Sequence, residues 1–131
     1  MVIAEPKKMS IEPVTDCPHR YNVCLNEKKI GHMVLKRLRE LNTNILEDLL
    51  EDEEERMYVL FFELSFSDGF YLEEFSIDEE YQGQGYGKQI IGDLLARRKS
   101  PILLYSLRES EEFWDKMNFK NVAGYYYVWQ P

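Results

Sequence analysis

The chain of 131 residues is short of cations, of cysteine and of long apolar runs, and each shortage closes off a class of function. It carries 16 lysines and arginines against 24 aspartates and glutamates, a formal net charge of −8. Nonspecific nucleic-acid binding needs clustered cations that displace counterions, so this balance argues against it. The same deficit argues against docking on an anionic membrane surface. The longest apolar run is short and cut by Glu63, and no stretch approaches the twenty or so residues of a membrane-spanning helix. Met1-Val-Ile-Ala-Glu-Pro-Lys-Lys8 lacks the apolar core of a signal peptide, and cytoplasmic residence is the expectation. Two cysteines, Cys17 and Cys24, are too few for a disulfide framework. With His19 they offer metal ligands at a spacing foreign to zinc sites and without an evident fourth, so no metal is expected.

What is present describes one soluble domain over residues 1–131. The apolar share of 44% is ordinary and sufficient for a single core, while the aromatic share of 14%, with nine tyrosines, is high. Seven of the nine residues from Glu47 to Glu55 are acidic, a pattern that suits a solvated segment or an electrostatic guide for a cationic partner.

Along the chain, Pro6, Pro13 and Pro18 mark residues 1–20 as an extended arm or irregular edge. Tyr21–Leu25 and Ile30–Leu38 alternate as strands of a hairpin turned at Asn26–Lys29. Asn42 or Thr43 can cap a short helix whose Ile45, Leu46, Leu49 and Leu50 share one face. Met57–Phe66 reads as a strand, turned by Ser67-Asp-Gly69 into a second strand, Gly69–Ile77. Tyr86, Ile90, Ile91, Leu94 and Leu95 recur at helical spacing, followed by a strand at Ile102–Ser106, a helix near residues 112–118 and a final strand at Tyr125–Trp129. This order predicts an α/β domain with a mixed sheet.

The most informative stretch is Phe75-Ser-Ile-Asp-Glu-Glu-Tyr-Gln-Gly-Gln-Gly-Tyr-Gly-Lys88, a strand running into a glycine turn and then a helix. Gly83, Gly85 and Gly87 let backbone N–H groups converge without interference from a Cβ, and the helix start adds its unpaired donors and positive dipole end. That is a phosphate cradle. A Walker loop is excluded because Gly87-Lys88 is followed by Gln89 rather than serine or threonine. A dinucleotide fingerprint is excluded by the Gly-x-Gly-x-Gly spacing and by the lack of an acid in Ile102–Leu107.

Gln82-Gly-Gln-Gly-Tyr-Gly87 does match Gln/Arg-x-x-Gly-x-Gly/Ala, and it resembles the pyrophosphate-binding motif of the GNAT superfamily, the acyl-CoA-dependent N-acyltransferases. Glu112-Phe-Trp-Asp-Lys-Met-Asn-Phe-Lys120 resembles the second signature of that superfamily, a helix ending in Phe-Tyr-x-x-x-Gly-Phe. The resemblance spans residues 69–129. It implies a mixed, mostly antiparallel central sheet of six to seven strands flanked by helices. Members commonly place two helices between the first and second strands, but too few residues precede Tyr21 here for that layout.

The resemblance also implies acetyl-CoA as co-substrate, its pyrophosphate held by Gln82, Gly83, Gln84, Gly85, Tyr86 and Gly87. Lys88 adds charge, and the backbone of Phe75, Ser76 and Ile77 takes the pantetheine arm. Tyr71-Leu-Glu-Glu-Phe-Ser-Ile77 is similar to the Tyr-Leu-Glu-Asp-Phe strand of the polyamine-acetylating branch, which carries the base to Glu73 and a substrate-binding part to Glu74. Strand alternation is expected to send Tyr71, Glu73, Phe75 and Ile77 to one face and Leu72, Glu74 and Ser76 to the other. An ordinary glutamate, with a pKa of about 4.3, is a weak base, so burial or a relay water is called for. Trp114 stands where the family has a tyrosine general acid, and an indole cannot supply that proton. Tyr105 and Tyr125–Tyr127 are candidate substitutes or sheet packing. Asn118 replaces the usual glycine and can still take a left-handed cap.

The implied reaction is acetyl transfer to a primary amine, of a small cationic molecule or a protein, by direct attack. A catalytically weak acyl-CoA-binding or regulatory module and an acidic interaction protein are the alternatives, and homodimerisation stays open.

Overall fold

A computed structural model describes residues 8–41 and 63–131. Seven strands form one sheet: β1 (Met9–Pro13), β2 (Arg20–Leu25), β3 (Lys28–Arg37), β4 (Phe70–Ile77), β5 (Ile102–Tyr105), β6 (Lys120–Ala123) and β7 (Tyr126–Trp129), in the spatial order β1-β2-β3-β4-β5-β7-β6. Every pairing is antiparallel except β4 with β5. A parallel pair needs a crossover, and helix α1 (Tyr86–Arg97) supplies it. A short helix, α2 (Glu111–Lys116), links β5 to the last hairpin. The mixed, mostly antiparallel sheet is the one expected from the sequence. Among the described residues no helix is long and apolar enough to cross a membrane.

Each face of the sheet carries a core of its own. On one face α1 lays Ile90, Ile91 and Leu94 against Met33, Leu35, Leu72, Ile77, Ile102 and Leu104, with Trp114 and Phe119 closing the end. On the other, Leu38 and Leu64 pack with Tyr71, Leu103, Tyr126 and Val128. The successive residues Ile102, Leu103 and Leu104 therefore all lie buried, as in strands covered on both sides.

Several boundaries differ from the sequence expectation. The arm over residues 1–20 contains β1, a paired edge strand whose Met9–Pro13 run antiparallel to Leu25–Tyr21. Residues 14–19 join it to β2 directly, so the described chain has no helical insertion between its first two strands. The expected helix near residues 43–50 and the start of the expected strand at Met57 lie outside the described residues. Within the second of these, residues 63–66 are helical rather than extended. Leu64 enters the second core, its carbonyl accepts the Gly69 N–H at 2.8 Å, and among the described residues no hairpin leads into β4. β4 pairs with β3 instead. β6 was not expected; Asn121 fixes its hairpin by donating from Nδ2 to the Gly124 and Tyr126 carbonyls at 2.7 and 3.2 Å.

Gly31 of β3 faces Ile77 at the end of β4. A Cβ there would run into the Ser76 carbonyl oxygen and lie 3.1 Å from the Ile77 Cα. Gly31→Ala is expected to cost about 1–3 kcal/mol through overpacking, read as a lowered midpoint in thermal unfolding. An unchanged midpoint would mean that the β3–β4 spacing does not depend on this glycine.

Candidate active site

The site is built around one irregularity in β4. Val34 faces Glu74 while the next residue, Leu35, faces Leu72, so Glu73 is an extra residue, a β-bulge. A one-residue shift exchanges the faces of a strand. Leu72, Phe75 and Ile77 consequently share the α1 side of the sheet, while Tyr71 belongs to the opposite core. This corrects the simple alternation, which put Tyr71, Glu73, Phe75 and Ile77 together.

Both carboxylates find partners that the register places on the Tyr71 side. Lys36, paired across β3 with Tyr71, brings its Nζ to 2.6 Å from Glu73 Oε2. Glu74 Oε2 lies 3.4 Å from His32 Nε2 and 3.7 Å from Arg20 Nη2. Sequence reasoning missed Lys36, His32 and Arg20, because only the pairing register brings them to β4. Tyr71 is buried, and its pKa is pushed up to about 12, by burial first and then by the Glu73 charge and Tyr105. Tyr105 is half-exposed and meets Tyr125 and Tyr126 edge-on, with ring centroids 5.8 and 5.1 Å away.

The bulge also ends a pairing. β4 follows β5 through Phe70–Ile102, Tyr71–Leu103 and Leu72–Leu104, and no further. From Glu73 to Ile77 the strand keeps β3 on one side and leaves β5 on the other, opening a notch walled by Glu73, Glu74, Phe75, Ser76 and Ile77.

Beyond the notch lies the glycine turn. A 3-10 turn over Glu79–Tyr81 leads into Gln82, whose Nε2 donates to the Ile77 carbonyl at 2.7 Å and ties the turn to the end of β4. Gln84 donates to the Glu80 carbonyl at 3.3 Å, within the turn. Gly83 and Gly85 have φ of +76° and +83°, and a Cβ at either would meet nothing within 4 Å. Their backbone thus needs glycine for its conformation and lies open to an approaching ligand. Gly87 differs, since a Cβ there would make ordinary contacts at 3.7–3.8 Å with Phe75, Ile77 and Phe113. Gly85 caps α1 without a side-chain bond, and Gln89 N–H donates to the Gly85 carbonyl at 3.1 Å. The N–H groups of Gly87 and Lys88 precede that bond in the helix. No acid occupies the first turn, so nothing there offsets the positive end of the helix dipole. Tyr86 is buried and Lys88 exposed. This donor set fits a pyrophosphate.

Trp114 is buried on the α1 side, its ring centroid 6.2 Å from Phe75, 4.8 Å from Phe113 and 5.1 Å from Phe119, all edge-on. The structure therefore separates the two residues that the motifs joined: Trp114 braces Phe75 from behind, while Glu73 turns to the other face of β4. Asn118 takes the left-handed conformation expected of it, with φ of +68°. Tyr127 donates from its hydroxyl to Glu111 Oε1 at 3.2 Å, and its pKa is raised by burial and by the Asp115 and Glu111 charges.

No family model matches the chain. An uncharacterized N-acetyltransferase of Bacillus thuringiensis (strain Al Hakam) is 29% identical in an alignment 129 positions long, gaps included, that covers 79% of this chain and 78% of that protein. The structure of the Bacillus subtilis N-acetyltransferase YlbP in complex with coenzyme A matches with a TM-score of 0.57 and 21% identity, covering 86% of this chain and 68% of that one. An acetyltransferase from Thermus thermophilus matches with a TM-score of 0.56 and 17% identity, over 87% of this chain and 66% of that one. The chain shares the fold of these two acetyltransferases.

The Tyr71 hydroxyl makes a signed prediction. The unfolded tyrosine ionises near 10.0 and the folded one near about 12, so the unfolded chain releases this proton first as pH rises. The resulting stabilisation is complete below pH 10 and is lost as pH rises through about 12, with a full extent of about 3 kcal/mol. Tyr71→Phe should therefore show a shallower fall of stability with pH across that window in denaturant titrations. Parallel falls for variant and wild type would show that Tyr71 ionises normally.

Proposed function

We propose that this chain is an acetyl-CoA-dependent N-acetyltransferase of the GNAT superfamily that passes the acetyl group to a primary amine by direct attack. The observation that carries the reading is the open, left-handed pair Gly83 and Gly85 at the mouth of α1, next to the notch where β4 leaves β5. The solved YlbP structure of the same fold holds coenzyme A. In this reading the turn from Gly83 to Lys88 binds the pyrophosphate, with Gln82 and Gln84 holding it in shape. The backbone of Phe75, Ser76 and Ile77 lines the pantetheine arm, and the thioester lies near Glu73.

Three things must then happen. The acceptor ammonium gives a proton to the Glu73 carboxylate, directly or through water, and Glu74, with Arg20 and His32 around it, contacts the acceptor. The amine nitrogen adds to the thioester carbonyl, the tetrahedral adduct gives its second ammonium proton to water, the C–S bond breaks, and its electron pair leaves on sulfur as a thiolate. A thiol with a pKa of about 8.5 is a tolerable leaving group without prior protonation, so the chemistry proceeds with Trp114 in the place of an acid. Neither thiol suits a covalent route, since Cys24 lies in β2 and Cys17 in the β1–β2 connection, strands away from the notch. With a net charge of −8, a cationic acceptor, small molecule or protein amine, is favoured. Trp114 also motivates a second reading, an acyl-CoA-binding module with weak turnover. Calorimetric titration with acetyl-CoA, followed by a thiol-release assay on a panel of amines, separates the two, and absence of acetyl-CoA binding sinks both.

Gly85→Val is expected to weaken acetyl-CoA binding at least tenfold while the domain stays folded, because a β-branched residue resists φ of +83° and crowds the backbone donors. Wild-type affinity in a folded variant would remove the cofactor assignment.

Trp114→Tyr is expected to raise turnover, up to about 10²-fold, the lower end of what a general acid contributes. The gain belongs in kcat rather than KM, since the hydroxyl acts on charge developing at sulfur. Trp114 is tightly packed, so a stability loss of about 1–3 kcal/mol accompanies the change, and assays belong well below the melting temperature. Trp114→Phe is the control for ring shape; equal rates in the Tyr and Phe variants would show that this position does not serve the thiolate.

A further inference from the structure

Lys36 holds an ammonium where the proposed reaction needs one from its substrate. Its Nζ is 2.6 Å from Glu73 Oε2, and among the described residues this is the cation paired with that carboxylate, while Arg20 and His32 attend Glu74. We infer that Lys36 is an internal stand-in for the acceptor: its ammonium occupies the acceptor's place on Glu73 and yields it to a primary alkylammonium, so that Lys36 sets acceptor affinity. The inference rests on the reading of Glu73 as the carboxylate that receives the acceptor's proton.

Geometry supplies the contact. Lys36 stands across from Tyr71 in the β3–β4 register, and Glu73, the extra residue of the bulge, reaches back to it. The pair sits at the bulge where β4 and β5 part, which is where an amine must approach a thioester lying in the notch.

Energetics make the pair exchangeable. The Lys36 and Glu73 side chains are 28% and 41% exposed, so solvent screens their attraction and the bond is weak. Trading one ammonium for another keeps the charge of the site balanced, and no carboxylate is stranded during the exchange. The lysine stem is long and flexible enough to carry its head to water. An ammonium that did not leave would instead repel the incoming one.

The surroundings select the class of acceptor. Tyr71, kept neutral by its burial, and the half-exposed ring of Tyr105 lie on the same face as the pair. An aromatic flank beside a carboxylate suits an alkylammonium, with an apolar stem for the rings and a charged head for Glu73. It disfavours an anionic acceptor.

The test is a calorimetric titration of 1,4-diaminobutane into the protein saturated with coenzyme A. Lys36→Met should bind the diamine about fivefold tighter than wild type, the upper end of what a part-exposed ion pair is worth. Lys36→Arg should not tighten binding, and Glu73→Gln combined with Lys36→Met should lose the gain. Where turnover is measurable, the same factor appears as a lower KM for the diamine. Equal or weaker diamine binding in a folded Lys36→Met variant, or no diamine binding by any of these proteins, overturns the inference. A merely structural lysine would shift the melting temperature and leave diamine affinity alone. Acetyl-CoA affinity of the same proteins separates the failures: normal affinity with no Lys36 effect removes only this inference, and no affinity in wild type removes the reading beneath it.

Discussion

One extra residue in β4 organises the rest of the site. Glu73 interrupts the β3–β4 ladder, yet pairing resumes on both sides, from Arg37–Phe70 at one end to Gly31–Ile77 at the other. The strand absorbs the insertion by bending, and the parallel partner on its far side cannot follow. Two consequences come from this single event. A notch opens between β4 and β5, and the side chains beyond it change faces, sending Phe75 and Ile77 to the helices and leaving Glu73 and Glu74 with the cations of β2 and β3.

The glycine turn depends on the same strand. Gln82 anchors to the Ile77 carbonyl, and Gly87 lies against Phe75 and Ile77, so the start of α1 is positioned by the last residues of β4. In the proposed function, one strand end therefore sets both the phosphate donors and the carboxylate that meets the amine. The separation between them is carried by rigid elements rather than by loops, which limits the entropy lost when an extended ligand binds. The tight contact of Gly31 with Ser76 fixes β4 from its other side.

The fold was legible where a local pattern has a local cause. Helical spacing from Tyr86 to Leu95 marked α1, and three alternating glycines marked a turn that adopts positive φ at Gly83 and Gly85. Asn118 behaves as the glycine substitute that its side chain allows. What could not be read was non-local. The bulge arises from the match of β4 to β3, and nothing in Tyr71-Leu-Glu-Glu-Phe-Ser-Ile77 announces that one glutamate is extra. Lys36, His32 and Arg20 are ordinary strand residues until the register brings them to the carboxylates. β1 is an edge strand in a proline-marked arm, which removes the usual signal, and β6 is too short to show a period. Residues 63–66 have strand-like neighbours in sequence, yet Leu64 turns into the second core as part of a helical turn, tertiary packing overriding propensity.

Trp114 shows how a site can trade one kind of contribution for another. A tyrosine at this place in the motif offers a hydroxyl; the indole offers area, and it is used, wedged edge-on among Phe75, Phe113 and Phe119. Phe75 is the wall of the notch on the helix side, and it also stacks on Phe113 at 6.4 Å. The aromatic cluster thus braces a strand that has lost its β5 partner and would otherwise be held on one side alone. Loss of an acid raises the barrier to thiolate departure, whereas loss of the brace would disturb the notch itself. Because a thiolate can leave unprotonated near neutral pH, the first loss slows the proposed reaction without stopping it. A loosened wall would misplace the thioester, and errors on the order of 1 Å cost about 10²-fold. On those magnitudes a tryptophan that holds the wall is compatible with catalysis, and its cost falls on the leaving group alone.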